Sequence, residues 1–193
     1  MTQPTRSEHQ RAPYGTLPRK ELRKLLLQQR RALDPQLRRE MDARIVQKLL
    51  AWCQQHRPAS LGVYWPIQAE PDLHDCYQQL SDAGIALALP LVTARNAGLS
   101  FLAWRPGDAV TLDEYGIPTP ARRDRPLQPV ALLVPCVGFN ADRYRLGYGG
   151  GHYDRTLEQT PRPATLGVAY QTARVDFVPG AHDVAMDVIL TDA

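Results

Sequence analysis

Ser60-Leu61-Gly62-Val63-Tyr64-Trp65, followed by Asp72 through Gly84 and then Ile85-Ala86-Leu87-Ala88-Leu89, is the stretch from which the fold can be read. The first run is short and apolar and is closed by Pro66, as expected of a buried strand. Asp72 is placed to cap a helix that turns Leu73, Cys76, Tyr77 and Leu80 inward and stops at Gly84. The second apolar run reads as another strand, again ended by a proline. Strand, helix and strand with such short links form a βαβ unit, which implies parallel strands. The spacing therefore predicts one α/β domain, a mostly parallel open sheet with helices on both faces. Such sheets hold ligands beyond the carboxyl ends of their strands. Glu70, in the loop between Trp65 and the helix, falls on that edge.

Toward the N-terminus, residues 1–17 are polar, carry Pro4, Pro13 and Gly15, and show no hydrophobic period. They read as a disordered leader, and 18–193 as the domain. From Pro18 the pattern turns helical: Leu22, Leu25, Leu26 and Leu33 share one face, and Arg19, Lys20, Arg23, Lys24, Arg30 and Arg31 fill the rest as a solvated basic face. Pro35 opens a second helix with Leu37, Met41, Ile45, Leu49 and Trp52 on a stripe.

Toward the C-terminus, Leu99–Trp104 alternates as a strand, Val130–Pro135 reads as a buried one, and Thr165–Tyr170 as another. Between the last two lies Arg145-Leu146-Gly147-Tyr148-Gly149-Gly150-Gly151-His152-Tyr153-Asp154-Arg155. Strand, glycine-rich loop and then a short helix from Tyr153 to Glu158 would present free backbone N–H groups to an anion. Arg145 adds a planar fork suited to phosphate oxygens. A glycine cluster is equally what a tight turn looks like, and Asp154 is equally a first-turn acid near a helix dipole. The loop is not a Walker A loop, because no Gly-Lys-Ser/Thr follows, and it lacks the third glycine of a dinucleotide fingerprint.

Composition bounds the rest. The chain has 193 residues, 44% hydrophobic and 22% charged, with net charge +3, which is too small to argue for nucleic acid. Cys53, Cys76 and Cys136 are scattered, which speaks against a disulfide framework or a zinc site. No apolar run approaches a membrane span and no signal-peptide core is present, so a cytoplasmic enzyme is expected, with no nucleic-acid or membrane partner.

Pro135-x-x-x-Phe139 followed by the Arg145–Arg155 loop resembles the signature of the 5-formyltetrahydrofolate cyclo-ligase (methenyltetrahydrofolate synthetase) family. Other stretches from Arg19 to Thr191 are similar in the same order. Arg19-x-x-Leu22-Arg23 is similar to the family's Lys-x-x-Leu-Arg element, whose basic residues touch ATP. Pro179 to Thr191 is similar to its closing element, which contains Asp183. The resemblance implies ATP- and Mg²⁺-dependent cyclisation of 5-formyltetrahydrofolate to 5,10-methenyltetrahydrofolate, with ADP and phosphate released, by a monomer. It implies Arg145 as the catalytic residue. Arg19, Lys20, Arg23, Arg145, Leu146, Gly147, Gly149, Gly150, Gly151 and Tyr153 would bind ATP. Trp65, Glu70, Tyr148 and His152 would face the folate, and Asp154 and Asp183 would hold Mg²⁺.

Several positions depart from the family pattern: Arg19 for Lys, Thr119 for Glu, Asn140 for Asp, Arg143 for Gly and His152 for an aromatic. The readings left open are a folate- or nucleotide-binding paralogue without turnover, and a sugar-phosphate isomerase of similar open-sheet fold.

Overall fold

The computed structural model describes residues 17–193, so the predicted leader lies outside the described residues but for Leu17. Two helices open it, α1 (Arg19–Arg31) and α2 (Pro35–His56). Asp34 caps α2, its carboxylate accepting from the backbone N–H groups of Gln36 and Leu37. Then follow β1 (Ser60–Gly62), α3 (His74–Asp82), β2 (Ala86–Val92), β3 (Leu99–Ala103), β4 (Val110–Leu112), β5 (Pro118–Pro120), β6 (Ala131–Pro135), β7 (Gly138–Phe139), β8 (Arg145–Leu146), α4 (His152–Leu157), β9 (Ala164–Val168) and β10 (Val188–Leu190). The main sheet has the order β10-β9-β6-β1-β2-β3, parallel throughout except for the antiparallel edge strand β3. The parallel unit read from residues 60–89 is present.

Side-chain alternation assigns the two faces of the sheet. Leu61, Leu87, Leu89, Leu133, Leu166 and Val168 pack with Ile45, Leu49 and Cys53 of α2 and with Cys76, Tyr77 and Leu80 of α3. Each fully buried leucine here contributes about 1.5–3 kcal/mol. The opposite face carries Ala88, Leu132, Val134 and Phe101 of β3, covered by Leu157 of α4 and by Met186. Helices thus lie on both faces, but unequally: the second face has one six-residue helix and connecting segments. Among the described residues no helix is long and apolar enough to cross a membrane.

Three sequence expectations are refined. The strand at Ser60 ends at Gly62; Val63 still donates to the Ala88 carbonyl of β2, and Tyr64–Trp65 runs on past the carboxyl edge, while β2 continues through Pro90 to Val92 rather than ending at the proline. Asp72 does not cap a helix beginning at Leu73; α3 starts at His74, and the Asp72 carboxylate accepts from the His74 N–H and ring instead. The glycine loop does not leave β6 directly, because the β7–β8 hairpin intervenes. Asn140 builds that hairpin's turn: its Oδ1 accepts from the N–H groups of Asp142 and Tyr144, and its amide donates to the Phe177 carbonyl. Arg143 adopts φ 65°, which explains why a glycine suits this position. Its guanidinium donates to the Met186 carbonyl, tying the hairpin to the last segment of the chain.

Asp42 of α2 gives a test of this packing. Its carboxylate accepts from the Tyr170 hydroxyl at 2.7 Å, and burial pushes its pKa up to about 6. A raised carboxyl pKa means that the folded state favours the proton. The associated stability is complete at acid pH and is lost as pH rises through about 6. Asp42→Asn keeps an acceptor for Tyr170 and removes the charge. We expect it to raise the melting temperature at pH 8 and to leave it unchanged or lower at pH 4. Equal shifts at both values would contradict this.

Candidate active site

From β1 the chain crosses by α3 to β2, on one face; from β6 it returns by α4 to β9, on the other. The two crossovers part above the carboxyl ends of β1 and β6, where an open sheet forms its crevice. A cavity of about 930 Å³ lies there. That volume is at the upper end for a single small-molecule site. Its walls come from the segment after β1, the end of β2, the β4–β5 turn, the glycine loop, α1 and the Asp183 segment.

One wall is cationic. Arg145 on β8 is nearly buried and its Nη2 pairs with Asp154 of α4 at 2.9 Å, with its guanidinium over the Tyr153 ring. Its Nε–H is buried and without a partner among the described residues. Arg19 of α1 pairs with Asp183 at 2.7 Å, and its Nε–H is likewise buried and unpartnered. Arg23, one turn on, donates from Nε to the Gly147 carbonyl at 2.7 Å. Burial, then the nearby Arg19 charge, lowers the Arg23 pKa while Asp183 opposes the shift. Positive charge is therefore crowded here, with donor capacity left over, as an anion site requires.

The glycines follow from the same crowding. A Cβ on residue 147 would collide with the Arg145 guanidinium. Gly151 is the N-cap of α4 with φ 67°, a conformation that L side chains rarely adopt. His152 follows it into the cavity wall, its Nδ1 at 2.9 Å from the Ala97 carbonyl. The ring is held by the β2–β3 turn.

The other wall is apolar. Trp65 packs edge-on against Trp104 and His74, and Pro90, Val92 and Ile117 continue the surface. At its base Glu70 is only 3% exposed. One carboxylate oxygen accepts from the Ile67 N–H at 2.9 Å and the other from the Tyr148 hydroxyl at 2.6 Å. Burial raises the Glu70 pKa, while these two bonds and the Arg30 charge hold it down.

Of the residues predicted for the site, all but two line this one cavity. Lys20 is exposed and not among the lining residues, and Leu146 is fully buried against Leu22 and Val137 beneath the loop. Sequence reasoning missed Arg30, read as part of a solvated face but 6% exposed. Its four-residue spacing after Leu22 and Leu26 was the available signal. It also missed the Asp113–Ile117 turn, which closes the apolar side. Thr119, given no role, is buried in β5 and donates to the Thr111 carbonyl, holding the hairpin behind that turn.

Comparisons with known proteins bear on this geometry. The model of the 5-formyltetrahydrofolate cyclo-ligase family matches residues 16–192. A 5-formyltetrahydrofolate cyclo-ligase from Mycoplasma pneumoniae is 32% identical over 89% of this chain and 96% of its own length. The Escherichia coli (strain K12) cyclo-ligase is 28% identical over 86% of this chain and 96% of its own. Among solved structures, the 5,10-methenyltetrahydrofolate synthetase of Mycoplasma pneumoniae superposes with a TM-score of 0.78 at 29% identity, covering 92% of this chain and all of that one. The Aquifex aeolicus synthetase gives 0.78 at 28%, covering 91% and 90%.

Proposed function

The chain belongs to the 5-formyltetrahydrofolate cyclo-ligase family, and from that premise we propose that it cyclises 5-formyltetrahydrofolate to 5,10-methenyltetrahydrofolate at the expense of ATP. The observation that carries the reading is the two-sided cavity: a cationic wall with unsatisfied arginine donors facing an apolar wall with a buried carboxylate. A triphosphate suits the first and a pterin the second. No single small anion needs both.

The chemistry explains the division. A formyl oxygen on nitrogen is a poor leaving group. It attacks the γ-phosphorus of ATP, ADP departs, and the oxygen becomes part of a phosphate leaving group still bonded to the formyl carbon. N10 then attacks the formyl carbon, the carbon–oxygen bond breaks, and N10 loses its proton as the ring closes. Proteins catalyse such transfers mainly by positioning and charge neutralisation. Here Arg145, Arg19 and Arg23, with the amides of Gly147 and Gly149–Gly151, hold the phosphates. Tyr153 stacks under Arg145. Trp65, Glu70, Tyr148 and His152 hold the pterin.

Asp154 and Asp183 both line the cavity and fit a Mg²⁺ ion, which takes one or two carboxylates and completes its shell with phosphate oxygens and water. The arginine pairs are compatible with this, because each engages one carboxylate oxygen, Asp154 Oδ1 and Asp183 Oδ2, and leaves the other for a metal. When bound, Mg²⁺ would neutralise phosphate charge as ADP departs. We expect Asp154→Asn and Asp183→Asn each to raise the Mg²⁺ concentration for half-maximal activity several-fold, with the fold intact by circular dichroism. A metal titration identical to that of the parent would strike that residue from the ligand set.

The lining residues of the cavity all lie in this chain, so the proposed site needs no residue from a second copy. ADP release tests the whole reading. It should occur with ATP only when 5-formyltetrahydrofolate is present. Folate binding without ADP release would indicate a non-catalytic paralogue, and turnover of a sugar phosphate an isomerase.

A further inference from the structure

Arg30 lies outside the phosphate-binding wall, two turns beyond Arg23 on α1, and does not line the cavity. Yet it is 6% exposed, and its guanidinium joins three segments. Nε donates to the Gln68 carbonyl at 3.1 Å, Nη1 to the Cys136 carbonyl at 3.3 Å, and Nη2 to the Tyr148 hydroxyl at 2.5 Å. The Tyr148 hydroxyl in turn donates to Glu70 at 2.6 Å. A tyrosine hydroxyl has one proton. With Arg30 donating to its oxygen, that proton is left for Glu70, and the direction of both bonds is fixed.

The same arginine clamps an unfavourable piece of backbone. Gln68 and Ala69 adopt φ 49° and 60°, two consecutive non-glycine residues in the left-handed region, immediately before Glu70. Arg30 bonds the first of them, and Arg31 bonds the Gln68 side chain at 2.5 Å. Glu70 is therefore placed and oriented by α1, the helix that also supplies Arg19 and Arg23 to the phosphate side.

We infer that Arg30 is a positioning residue which, through the Tyr148 hydroxyl, holds Glu70 as an ionised acceptor for the pterin's N–H groups. This rests on the proposed folate side of the cavity. The charged and titratable groups facing Glu70 are Arg30 from α1, Tyr148 from the glycine loop, Tyr64 after β1, Tyr153 of α4 and Cys136 after β6. Arg30 is the cation among them that opposes protonation of a carboxylate buried this deeply. Without it, burial dominates and Glu70 takes up a proton at higher pH.

The pH dependence of kcat/KM for 5-formyltetrahydrofolate decides the matter, because its acid limb reports the free enzyme. Arg30→Gln should move that limb upward by about one pH unit or more, with the KM for ATP within a few-fold of the parent. Arg30→Lys should move it less. Tyr148→Phe alters a residue that is 38% exposed, so the fold should survive, and it removes the hydroxyl link; it should move the limb in the same direction. Activity lowered uniformly across pH, with the limb in place in Tyr148→Phe, would overturn the inference, whether or not Arg30→Gln folds. A parent protein that does not turn over 5-formyltetrahydrofolate would instead refute the proposed function itself.

Discussion

Arg145→Ala should lower kcat by roughly 10²-fold or more, the usual cost of removing one preorganised donor from a charge-stabilising site. The residue is 7% exposed, is fixed by Asp154 at 2.9 Å and by the Tyr153 ring, and has an Nε–H with nothing else to bond among the described residues. Its position is thus settled before any ligand arrives, which makes it worth more in the transferring state than a mobile surface cation. Arg145→Lys separates this role from a structural one. Lysine can keep the ion pair with Asp154 and so preserve the fold, but it has no planar fork and no Nε donor. The variant should be stable and still severely slow. Near-normal kinetics in both variants would make Arg145 a scaffold residue only.

Glu70→Gln should weaken 5-formyltetrahydrofolate binding by roughly tenfold or more, since 1.4 kcal/mol is tenfold. A carboxylate can accept from the pterin's amino and ring N–H donors while its inner lone pairs serve Ile67 and Tyr148. Glutamine retains one oxygen and presents an amide N–H₂ in place of the other. At least one donor is then left buried and unpaired, at about 1–3 kcal/mol. ATP, on the opposite wall, should bind almost as before. Isothermal titration with each ligand separately checks this. Equal losses would indicate a damaged fold, and a loss for ATP alone would reverse the two sides.

Much of this was legible in the chain. Residues 60–89 carry the parallel unit because apolar runs and Gly84 mark its order locally, although β1 stops short of Pro66 and β2 runs through Pro90 to Val92. The cavity position follows from that unit, because the carboxyl edge of a parallel sheet is fixed once its connections are. Most predicted site residues converge there for the same reason. What was hidden depends on contacts between distant segments. Arg30 looks like one of several cations on a basic helix, and only the packing of α1 over Gln68, Cys136 and Tyr148 makes it interior. The β7–β8 hairpin is two residues per strand, too short to show a period, and is fixed by the Asn140 side chain. The Asp113–Ile117 turn carries no chemistry of its own. It reaches the cavity because β5, paired with β4, packs beside β2.

Transfer of the formyl oxygen to phosphate is the central step of the proposed mechanism. It is tested by labelling that oxygen in 5-formyltetrahydrofolate with a heavy isotope and analysing the phosphate released during ATP-dependent turnover by mass spectrometry. Phosphate carrying the label, formed together with ADP and the methenyl product, is the predicted result. Unlabelled phosphate, with the heavy oxygen recovered in water, would mean that ATP hydrolysis and ring closure are separate events and would contradict the mechanism.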